Sequence, residues 1–509
     1  AKRAPLLSVG ELAIAFGVNR ERPLADQRMV DALARLGAFA AAEAPGVDPL
    51  RFSRAGSNIH LCQAIQTGLI GLLWSDLLAE IDAGRLVEQA RDACVGYLRH
   101  GLDEAGFAFE GPGYGFMALH HLFIFAELLA QAGLEDLFAS QPRMQRAADA
   151  AVALMRPDQT FLANFNDMGL LTPWSLPLWL IAARRYGRPD FRAAFEAFQG
   201  PNHPIKPFGH IHTYLCDHVP EPGPHPWLQV IASIPLLWTA LWYDPDAAPP
   251  PLEPPRTAVG RGTGTVILRT DEIWLGVLAS GRSQQSQTHA HADAGHVSLI
   301  AFGEDLGIDT GRYNVDEDQH SVMLVEGQCH RPTSPGWGQN DRAGRLLDVR
   351  DDGWVRGVKV DAAQQKGCKW AERTVLCVGG PGEVGYVIII DNINPDDRFH
   401  TFLWQWQCHP DAAVRITGRQ TAEVEMGGAV LDVSLFIPSA DDFPAHPYTL
   451  AMRTDVQQWG DPYGNPPTDH QRATRLLVTC ADRPRLLGDL AGVNGQCVAI
   501  LRPRRADQA

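Results

Sequence analysis

The fold of this chain is decided by residues 289–313, which read HAHADAGHVSLIAFGEDLGIDTGRY. A His-x-His pair opens the stretch, and residues 297–302 then alternate as a β-strand does, before a Gly-Glu-Asp turn and a second short strand. Side chains two residues apart share one face of a strand, so His289 and His291 are expected to point the same way. The hairpin that follows can carry Asp309 back toward both of them.

A third imidazole, His320, opens the next strand-like run at residues 320–325. Histidine nitrogens together with a carboxylate oxygen suit a divalent metal such as zinc. Histidines that hydrogen-bond at strand ends are the alternative, and ligands spread over three strands do not decide between the two. The residues alone therefore leave the metal open.

Composition and charge limit the classes of function. The chain has 509 residues, 45% apolar and 20% charged, which is typical of a folded protein with two to four domains. Its net charge of −15 argues against nonspecific nucleic-acid binding, which needs a dense basic surface. An anionic polymer could bind only if histidines and arginines gather in one groove.

Location and membrane association can be read only in part from the sequence. Nine cysteines without a CxxC motif favour free thiols over a disulfide framework. Residues 1–7, AKRAPLL, show no signal-peptide pattern, so a bacterial cytoplasm and a periplasm both stay open as locations. The longest charge-free run, His225–Tyr243, contains two prolines and predicts a core helix, so we expect a soluble protein with no membrane span. The sequence does not predict the oligomeric state.

Residues 1–246 have the three/four periodicity of amphipathic helices. Gln27–Ala42 is a clear case, with apolar residues spaced three or four apart along one face. Similar runs follow at 58–83, 86–100, 113–132, 142–155, 174–187 and 226–243. Helices of this length joined by short turns predict a domain of helical hairpins.

A proline-rich segment separates this helical part from the rest of the chain. Residues 244–255, DPDAAPPPLEPP, hold six prolines in twelve positions and cannot continue a helix. We place a linker at 247–257 and a second domain at 258–509. Short strand-like runs with almost no helix between them follow there, which predicts antiparallel sheets and an α+β multidomain chain. These runs are 263–269, 273–279, 297–302, 321–325, 373–377, 385–391, 401–407, 414–417 and 430–436.

The central stretch and the histidine after it resemble the C-terminal β-domain of the heparinase II/III-like polysaccharide lyases. The shared pattern is H-x-H-x-D, a short strand, D-x-G-x-Y and a histidine at the start of the next strand; Ser321 departs from it, because the family often has Asn there. The resemblance implies that His291, Asp309 and His320 hold a structural divalent metal, with zinc as the expected ion. It also implies that His289 faces the substrate cleft.

The resemblance further implies the overall architecture. An incomplete (α/α) toroid would occupy residues 1–246, and an antiparallel β-sandwich would occupy residues 258–509. The sequence contains no repeat strong enough to prove a toroid by itself.

Two short motifs in the helical part carry candidate catalytic residues. Asn58 and His60 open one helix, and Tyr114 lies in the glycine-rich residues 106–116 at the start of another. Each motif alone could be an ordinary helix cap, although helix N-termini that gather at one end direct polar groups into a common cleft. In the lyases an Asn or His and a Tyr at such positions line the cleft. Here Tyr114 follows Asn58 by 56 residues and His60 by 54.

The reaction implied by the resemblance is β-elimination from a uronate polysaccharide, in which the C5 proton is removed and the C4 oxygen leaves. The carboxylate beside C5 has to be neutralised by donors, a role open to Asn58, His60 or His289. Tyr114 can act as the acid and, if cationic neighbours ionise it, as the base; a histidine is the alternative base. This mechanism predicts that Tyr114 and His289 meet across one sugar-sized gap.

Further polar residues are candidates for substrate binding, and the expected partner is an anionic polysaccharide or oligosaccharide. They are Gln63, Glu110, Asn166, His210 and His212. Glu110 belongs to an E-x-x-x-Y element that resembles the family's tyrosine motif. The loop that holds His210 and His212 could equally be a plain surface loop, and Asn166 could belong to a plain turn.

Two other functions compete with the lyase interpretation. One is a noncatalytic carbohydrate-binding protein that keeps the lyase fold. The other is a metal-dependent glycan hydrolase, which needs an open metal position and a nearby general base. The chain contains no HExxH motif or paired carboxylates in support of the hydrolase.

Overall fold

A computed structural model describes most of the chain. The described residues are 56–75, 82–157, 162–163, 165–166, 176–199, 250–281, 289–311, 314–326, 330, 342–436, 451–457 and 482–508. The helices, strands and contacts given for the protein lie in these ranges.

Seven α-helices come first in the described part of the chain. They are α1 (Asn58–Trp74), α2 (Ala83–His100), α3 (Gly111–Gln131), α4 (Leu137–Ser140), α5 (Arg143–Ala153), α6 (Leu176–Tyr186) and α7 (Pro189–Gln199). Helix α2 illustrates why they form, because its buried Leu86, Ala90 and Ala93 recur three or four residues apart. Asp82 caps its first turn by accepting the backbone N–H of Arg85 at 3.0 Å.

Helix α3 is buried on nearly all sides and packs against α1 and α6. Among the described residues it is the one helix long and apolar enough to cross a membrane, and 72% of its most apolar window is buried inside the protein. Core helices of large proteins have the same composition.

Seventeen β-strands follow in the described part. They are β1 (Thr257–Gly260), β2 (Thr265–Arg269), β3 (Ile273–Leu278), β4 (Val297–Ala301), β5 (Glu304–Gly307), β6 (Met323–Val325), β7 (Arg345–Asp351), β8 (Val355–Asp361), β9 (Trp370–Val378), β10 (Tyr386–Asn394), β11 (His400–Gln407), β12 (Ala413–Ile416), β13 (Thr421–Met426), β14 (Ala429–Phe436), β15 (Ala451–Gln457), β16 (Arg483–Gly492) and β17 (Gly495–Arg505). A four-residue helix, α8 (Ala363–Lys366), lies between β8 and β9.

The strands form three antiparallel sheets. Their orders are β1-β2-β3-β4-β5, β12-β13-β14-β17-β10-β9-β8-β7 and β15-β16-β11-β6. Helices followed by antiparallel sheets make an α+β fold, as the sequence predicts.

The five-stranded sheet is the layer between the helices and the other sheets. Successive residues of a strand point to opposite faces. Ile267, Trp274 and Ile300 therefore join the helical core, whereas Leu275 and Leu299 join a second core that takes residues from all three sheets. Both faces of this sheet are buried, which explains the continuous apolar runs in β2, β3 and β4.

Close packing between the helical part and this sheet requires a glycine in β3. A Cβ atom at Gly276 would lie 2.3 Å from the ring of Phe165, so no larger residue fits without displacement. Phe165 also stacks on Trp274, with ring centroids 6.0 Å apart. The apolar contact between the two parts is therefore closely fitted.

A buried arginine adds a polar contact to the same interface. The Arg269 guanidinium, at the end of β2, donates to the carbonyl oxygens of Ala153, the last residue of α5, at 2.7 Å and of Met155 at 2.8 Å, and to that of Pro255 at 2.8 Å. Burial lowers the pKa of Arg269 to about 9, because these three acceptors are neutral. Arg269 thus fixes the end of α5 and the proline-rich segment to the sheet.

Two carboxylates complete the polar contacts. Asp103, in the loop before α3, accepts the backbone N–H and the hydroxyl of Thr263, both at 3.2 Å. Arg156 forms an ion pair of 2.7 Å with Asp305 of β5, and both side chains are largely buried. The loop that leads into α3 is therefore tied directly to the sheet.

The predicted periodicities are confirmed where the chain is described. Each helical run between residues 58 and 187, and each strand-like run between residues 263 and 436, overlaps an observed element. No predicted run covers the short helices α4 and α8, helix α7 or several strands. Among those strands is β7, an edge strand whose polar residues hide the alternation. The helices predicted at 27–42 and 226–243 lie outside the described residues.

The expectation that the His-x-His pair lies in a strand is wrong. Strand β4 begins only at Val297, and His289 adopts the left-handed conformation, with φ 63°. Residues 290–296 form turns and bends, so the two histidines of the pair have different neighbours. The spacing therefore does not put His289 and His291 on one face.

The division of the chain at 247–257 stays a prediction. Residues 247–249 lie outside the described residues, and residues 250–256 form neither a helix nor a strand. Strand β1 then begins at Thr257.

We expect Arg269→Met to lower the free energy of unfolding by on the order of 3 kcal/mol, because the two buried carbonyls of Ala153 and Met155 would lose their donor. Urea denaturation followed by circular dichroism measures this change. Arg350→Met is the matched control, since the Arg350 side chain is 84% exposed and should change stability by less than about 0.5 kcal/mol. Equal urea midpoints for the two variants would contradict the role of Arg269.

Candidate functional site

An aromatic ring from the helical part lies against an imidazole from the sheet part. The rings of Tyr114, in the first turn of α3, and His289, in the loop before β4, are stacked with centroids 3.7 Å apart and planes at 16°. The predicted meeting of these two residues is therefore present, but without a sugar-sized gap. Rings in van der Waals contact leave no space between them, so a ligand has to approach both from the same side.

Local backbone geometry fixes where α3 begins. Gly111 has φ +79°, and a Cβ there would lie 2.9 Å from the Cβ of Asn166, so glycine is required at this turn. Pro112 then occupies the first turn, where its missing N–H is not needed. Tyr114 lies in the first turn of this helix, and these two residues fix where that turn begins.

Asn58 lies beside the same helix start. Its backbone N–H donates to Oε2 of Glu110 at 2.7 Å, and both residues are buried. The Asn58 side-chain nitrogen and oxygen form no hydrogen bond within the described part of the chain. Leaving such a group unpaired costs about 1–3 kcal/mol, so its retention favours a ligand-binding role.

A cleft separates these helix starts from the sheet. It is narrow and takes its walls from both parts of the chain. Its lining residues are Ala108, Phe109, Gly111, Pro112, Phe165, Asn166, Thr263, Thr265, Leu278, Ser280, Gly281, Ala290, His291 and Asp293. A binding site of this kind depends on the docking of the helices on the sheet.

Three residues at this cleft have strained backbones. Asn166, Ser280 and His289 have φ of 60°, 54° and 63°, a region that residues other than glycine rarely adopt. Asn166 and Ser280 line the cleft, and His289 immediately precedes its Ala290 wall. Strained conformations concentrate at functional sites, because packing there has to hold side chains in place.

A cluster of buried ligand atoms lies beyond the cleft wall. His291, Asp309 and His320 each offer one such atom, all within 4.8 Å of one another, and all three residues are fully buried. The hairpin of β4 and β5 returns Asp309 toward His291 as expected, and His320 joins them from the turn before β6. The predicted metal ligands are therefore brought together.

Neighbouring groups hold two of these residues in place. The backbone N–H of Gly311 donates to Oδ1 of Asp309 at 2.7 Å. His320 closes a 3-10 turn, Glu317–Gln319, and its carbonyl oxygen accepts the buried amide of Gln405 at 2.7 Å. Strand β11 thus fixes the turn that carries the imidazole.

Burial disfavours charge at two members of the cluster. It raises the pKa of Asp309 to about 7 and lowers the pKa of His320 well below its usual range. Neither ring nitrogen of His320 forms a hydrogen bond within the described residues. A neutral imidazole without hydrogen bonds beside a carboxylate fits a divalent metal, which would supply the missing positive charge.

The sequence analysis assigns no role to His296, which lies in the same cluster. Its Nε2 is 3.5 Å from Oδ2 of Asp309, and its ring centroid is 5.4 Å from that of His320. Burial lowers the pKa of His296 to about 3. This residue could not be recognised from the sequence, because a histidine just before a strand has no local pattern that indicates a site.

Asp293 and Ser280 are two more residues that the sequence analysis leaves without a role. Both line the cleft, and the Ser280 hydroxyl donates to the carbonyl oxygen of His291 at 2.9 Å. Burial raises the pKa of Asp293 to about 6. The H-x-H-x-D motif already contains Asp293, whereas nothing in the sequence singles out Ser280.

The remaining predicted residues have different positions. His60 and Gln63 in α1 are half-buried, which makes them more accessible than Asn58. Glu110 is buried against Asn58 and does not line the cleft, whereas Asn166 does. The predicted binding residues His210 and His212 lie outside the described residues.

No family model matches the sequence, and no curated protein matches it. Solved structures do match it. Heparinase III matches with a TM-score of 0.64 at 12% sequence identity, and the match covers 94% of this chain. A mutant of the heparan sulfate lyase HepC from Pedobacter heparinus matches with a TM-score of 0.59 at 12% sequence identity, and the match covers 95% of this chain. A chondroitin AC lyase from Streptomyces coelicolor A3 in complex with chondroitin sulphate gives 0.46 at 12% identity and covers 94%.

This chain spans 64% of the length of each of these structures. The predicted resemblance to polysaccharide lyases of the heparinase type is confirmed at the level of the fold. The candidate residues lie in a fold of helices followed by antiparallel sheets, with a cleft between the two.

Proposed function

We propose that this protein is a polysaccharide lyase that cleaves a uronic-acid-containing polysaccharide or oligosaccharide by β-elimination. The contact between Tyr114 and His289 is the observation that carries the proposal. A phenol and an imidazole are the acid and base types that this reaction needs, and each of these two residues lies within two positions of a residue that lines the cleft, in a chain with a lyase-like fold. The substrate is an anionic polymer, as the resemblance implies.

Tyr114 and His289 would share the proton transfers. Because the stacked rings leave no space between them, both would act on one side of the sugar. Removal of the C5 proton by one group and protonation of the C4 oxygen by Tyr114 complete the elimination. An imidazolium at His289 would also favour the ionised phenol, which would let Tyr114 act as the base.

The carboxylate beside C5 needs a neutralising donor, and Asn58 and His60 are the candidates. The buried Asn58 carboxamide lacks hydrogen bonds within the described residues, so it is a donor held ready for a ligand. Full burial means that a substrate has to displace a neighbour to reach it. His60 is half-buried and is the candidate that needs less movement.

Four residues would bind the rest of the substrate in this proposal, and a fifth, Glu110, would support them. Asn166 lines the cleft, and Glu110 would act through Asn58 by holding its backbone N–H. The resemblance is the basis for assigning substrate binding also to Gln63 in α1 and to His210 and His212.

We further propose the finer architecture that the resemblance implies. The helices would form an incomplete (α/α) toroid, supported by consecutive packing of α1 on α2 and of α6 on α7. The sheets would form a β-sandwich, supported by a single core that takes residues from all three.

A structural divalent metal, with zinc as the expected ion, would be held by His291, Asp309 and His320. Two imidazoles and a carboxylate are a suitable donor set for zinc. Full burial of all three favours a structural over a catalytic ion, since a catalytic metal keeps a position open to substrate. The same burial argues against the metal-dependent hydrolase.

We expect Tyr114→Phe to abolish elimination, because it removes the hydroxyl and keeps the ring that stacks on His289. The measurement is the ultraviolet absorbance of the unsaturated uronate product, on a panel of heparan sulfate, heparin, alginate and chondroitin sulfate. Tyr386→Phe is the matched control, since Tyr386 is exposed on β10 of the eight-stranded sheet.

Turnover that survives in Tyr114→Phe would refute the assignment of the phenol. Reducing ends released without the unsaturated chromophore would instead indicate a hydrolase. Binding of a polymer without cleavage would favour the noncatalytic carbohydrate-binding protein.

We expect His291→Ala to lose the metal and to lower the melting temperature, because a ligand that couples metal binding to folding is removed. Metal per chain is measured by atomic emission, and melting by calorimetry with and without a chelator. His100→Ala, at the end of α2, is the control. A purified wild type without metal, melting at the same temperature as His291→Ala, would count against the site.

A further inference from the structure

Arg373, in strand β9, is a buried arginine that holds one carboxylate at two points. Its Nε donates to Oδ1 of Asp391 at 2.6 Å, its Nη2 donates to Oδ2 at 2.8 Å, and both side chains are buried. The two residues lie directly opposite each other on β9 and β10. Two parallel hydrogen bonds to one carboxylate fix the plane of a guanidinium, so the direction of the remaining nitrogen, Nη1, is fixed as well.

Nη1 of Arg373 joins two segments of the chain that each contain a proposed metal ligand. It donates to the carbonyl oxygen of Gly295 at 2.8 Å and to that of Ser321 at 2.6 Å. Gly295 lies in the loop between His291 and β4, and Ser321 directly follows His320. Nη1 carries two hydrogens, so it can serve both carbonyls at once. A single atom of the eight-stranded sheet thus limits the distance between the two segments.

Other protein groups hold the backbone beside His320. The carbonyl oxygen of His320 accepts the Gln405 amide at 2.7 Å, and the hydroxyl oxygen of Ser321 accepts the backbone N–H of Gln407 at 3.0 Å. The Ser321 N–H donates to Nδ1 of His296 at 3.0 Å, which is a second link to the loop after His291. The two segments are therefore joined by hydrogen bonds that do not involve a metal.

We propose that Arg373 is a positioning residue of the metal centre, which fixes the loop after His291 to the turn of His320 and so places these ligands before a metal binds. This inference rests on the proposed metal at His291, Asp309 and His320, and it does not depend on the elimination. A guanidinium has no lone pair for a metal, so Arg373 would act through the backbone alone. Ligands already in place bind more tightly, because less conformational entropy is lost on binding.

A role in stability alone is the alternative, in which Arg373 only neutralises Asp391 inside the sheet. A lysine would serve that purpose, because its ammonium carries the same charge. Its one nitrogen cannot replace the three that hold Asp391 at two points and reach the carbonyls of Gly295 and Ser321. Arg373→Lys therefore keeps a cation opposite Asp391 and removes the link between the segments.

We expect Arg373→Lys to bind zinc on the order of 10-fold more weakly than wild type, as is typical when hydrogen bonds around a metal site are lost. Zinc affinity is measured on the full chain by competition with a chromophoric chelator, at a temperature at which both proteins are folded. Urea denaturation of the metal-free proteins measures stability separately. Arg504→Lys is the matched control and should keep wild-type affinity, since Arg504 also pairs with a carboxylate, Asp432, across two strands of the same sheet.

The two measurements separate the possible outcomes. A lower urea midpoint for Arg373→Lys with wild-type zinc affinity would indicate a role in stability alone and would overturn the proposal. Wild type that binds no zinc would overturn the metal site and this inference together, whereas tight zinc binding that is equal in Arg373→Lys would overturn this inference alone. Elimination measured on the same preparations tests the proposed lyase activity independently.

Hydrogen exchange of the wild type supplies a test that holds even if Arg373→Lys fails to fold. The backbone N–H groups of Gly295, His296 and Ser321 donate to Leu278, Asp293 and the His296 ring. We expect all three to be protected already in the metal-free protein, with little further protection when zinc is added. Free exchange without metal, followed by protection only on zinc binding, would show that the ligands are not held in advance and would overturn the proposal.

Discussion

The docking of the helices on the five-stranded sheet is the constraint on which the rest of the structure depends. Gly276 leaves the space that the ring of Phe165 fills, and Arg269 donates to two carbonyls at the end of α5. Asp103 ties the loop before α3 to Thr263. These contacts set the distance between two chain segments that are far apart in sequence, and the stacking of Tyr114 on His289 is possible only because that distance is fixed.

The loops of the five-stranded sheet contribute to both the cleft and the cluster of buried ligand atoms. Loops at one end of β3 and β4 form the cleft wall that includes Ser280 and His291. His291 also belongs to the cluster with Asp309 and His320, so the wall and the cluster share one residue. A metal at that cluster, as we propose, would stabilise the wall from its buried side.

Much of the fold and part of the site could be predicted from the sequence. The alternation in β4 and the turn after it correctly return Asp309 to His291, and the helix starts correctly bring Tyr114 to the sheet. The conformation of His289 could not be predicted, because nothing in the local sequence marks its left-handed backbone. Nor could the position of His296 beside the cluster be recognised, because its ring accepts a hydrogen bond from the backbone N–H of Ser321, a residue distant in sequence. The periodicity of apolar residues along the sequence indicates which residues are buried, but it contains no information about long-range hydrogen bonds.

The stacked pair of Tyr114 and His289 depends on how the two halves of the chain assemble. Each half of the chain contributes one ring, so neither half alone can hold the pair. Fragments that separate the helices from the sheets should lack the stacked pair when apart and restore it when mixed, to an extent set by their mutual affinity. The pair is therefore a local indicator of whether the two halves are joined.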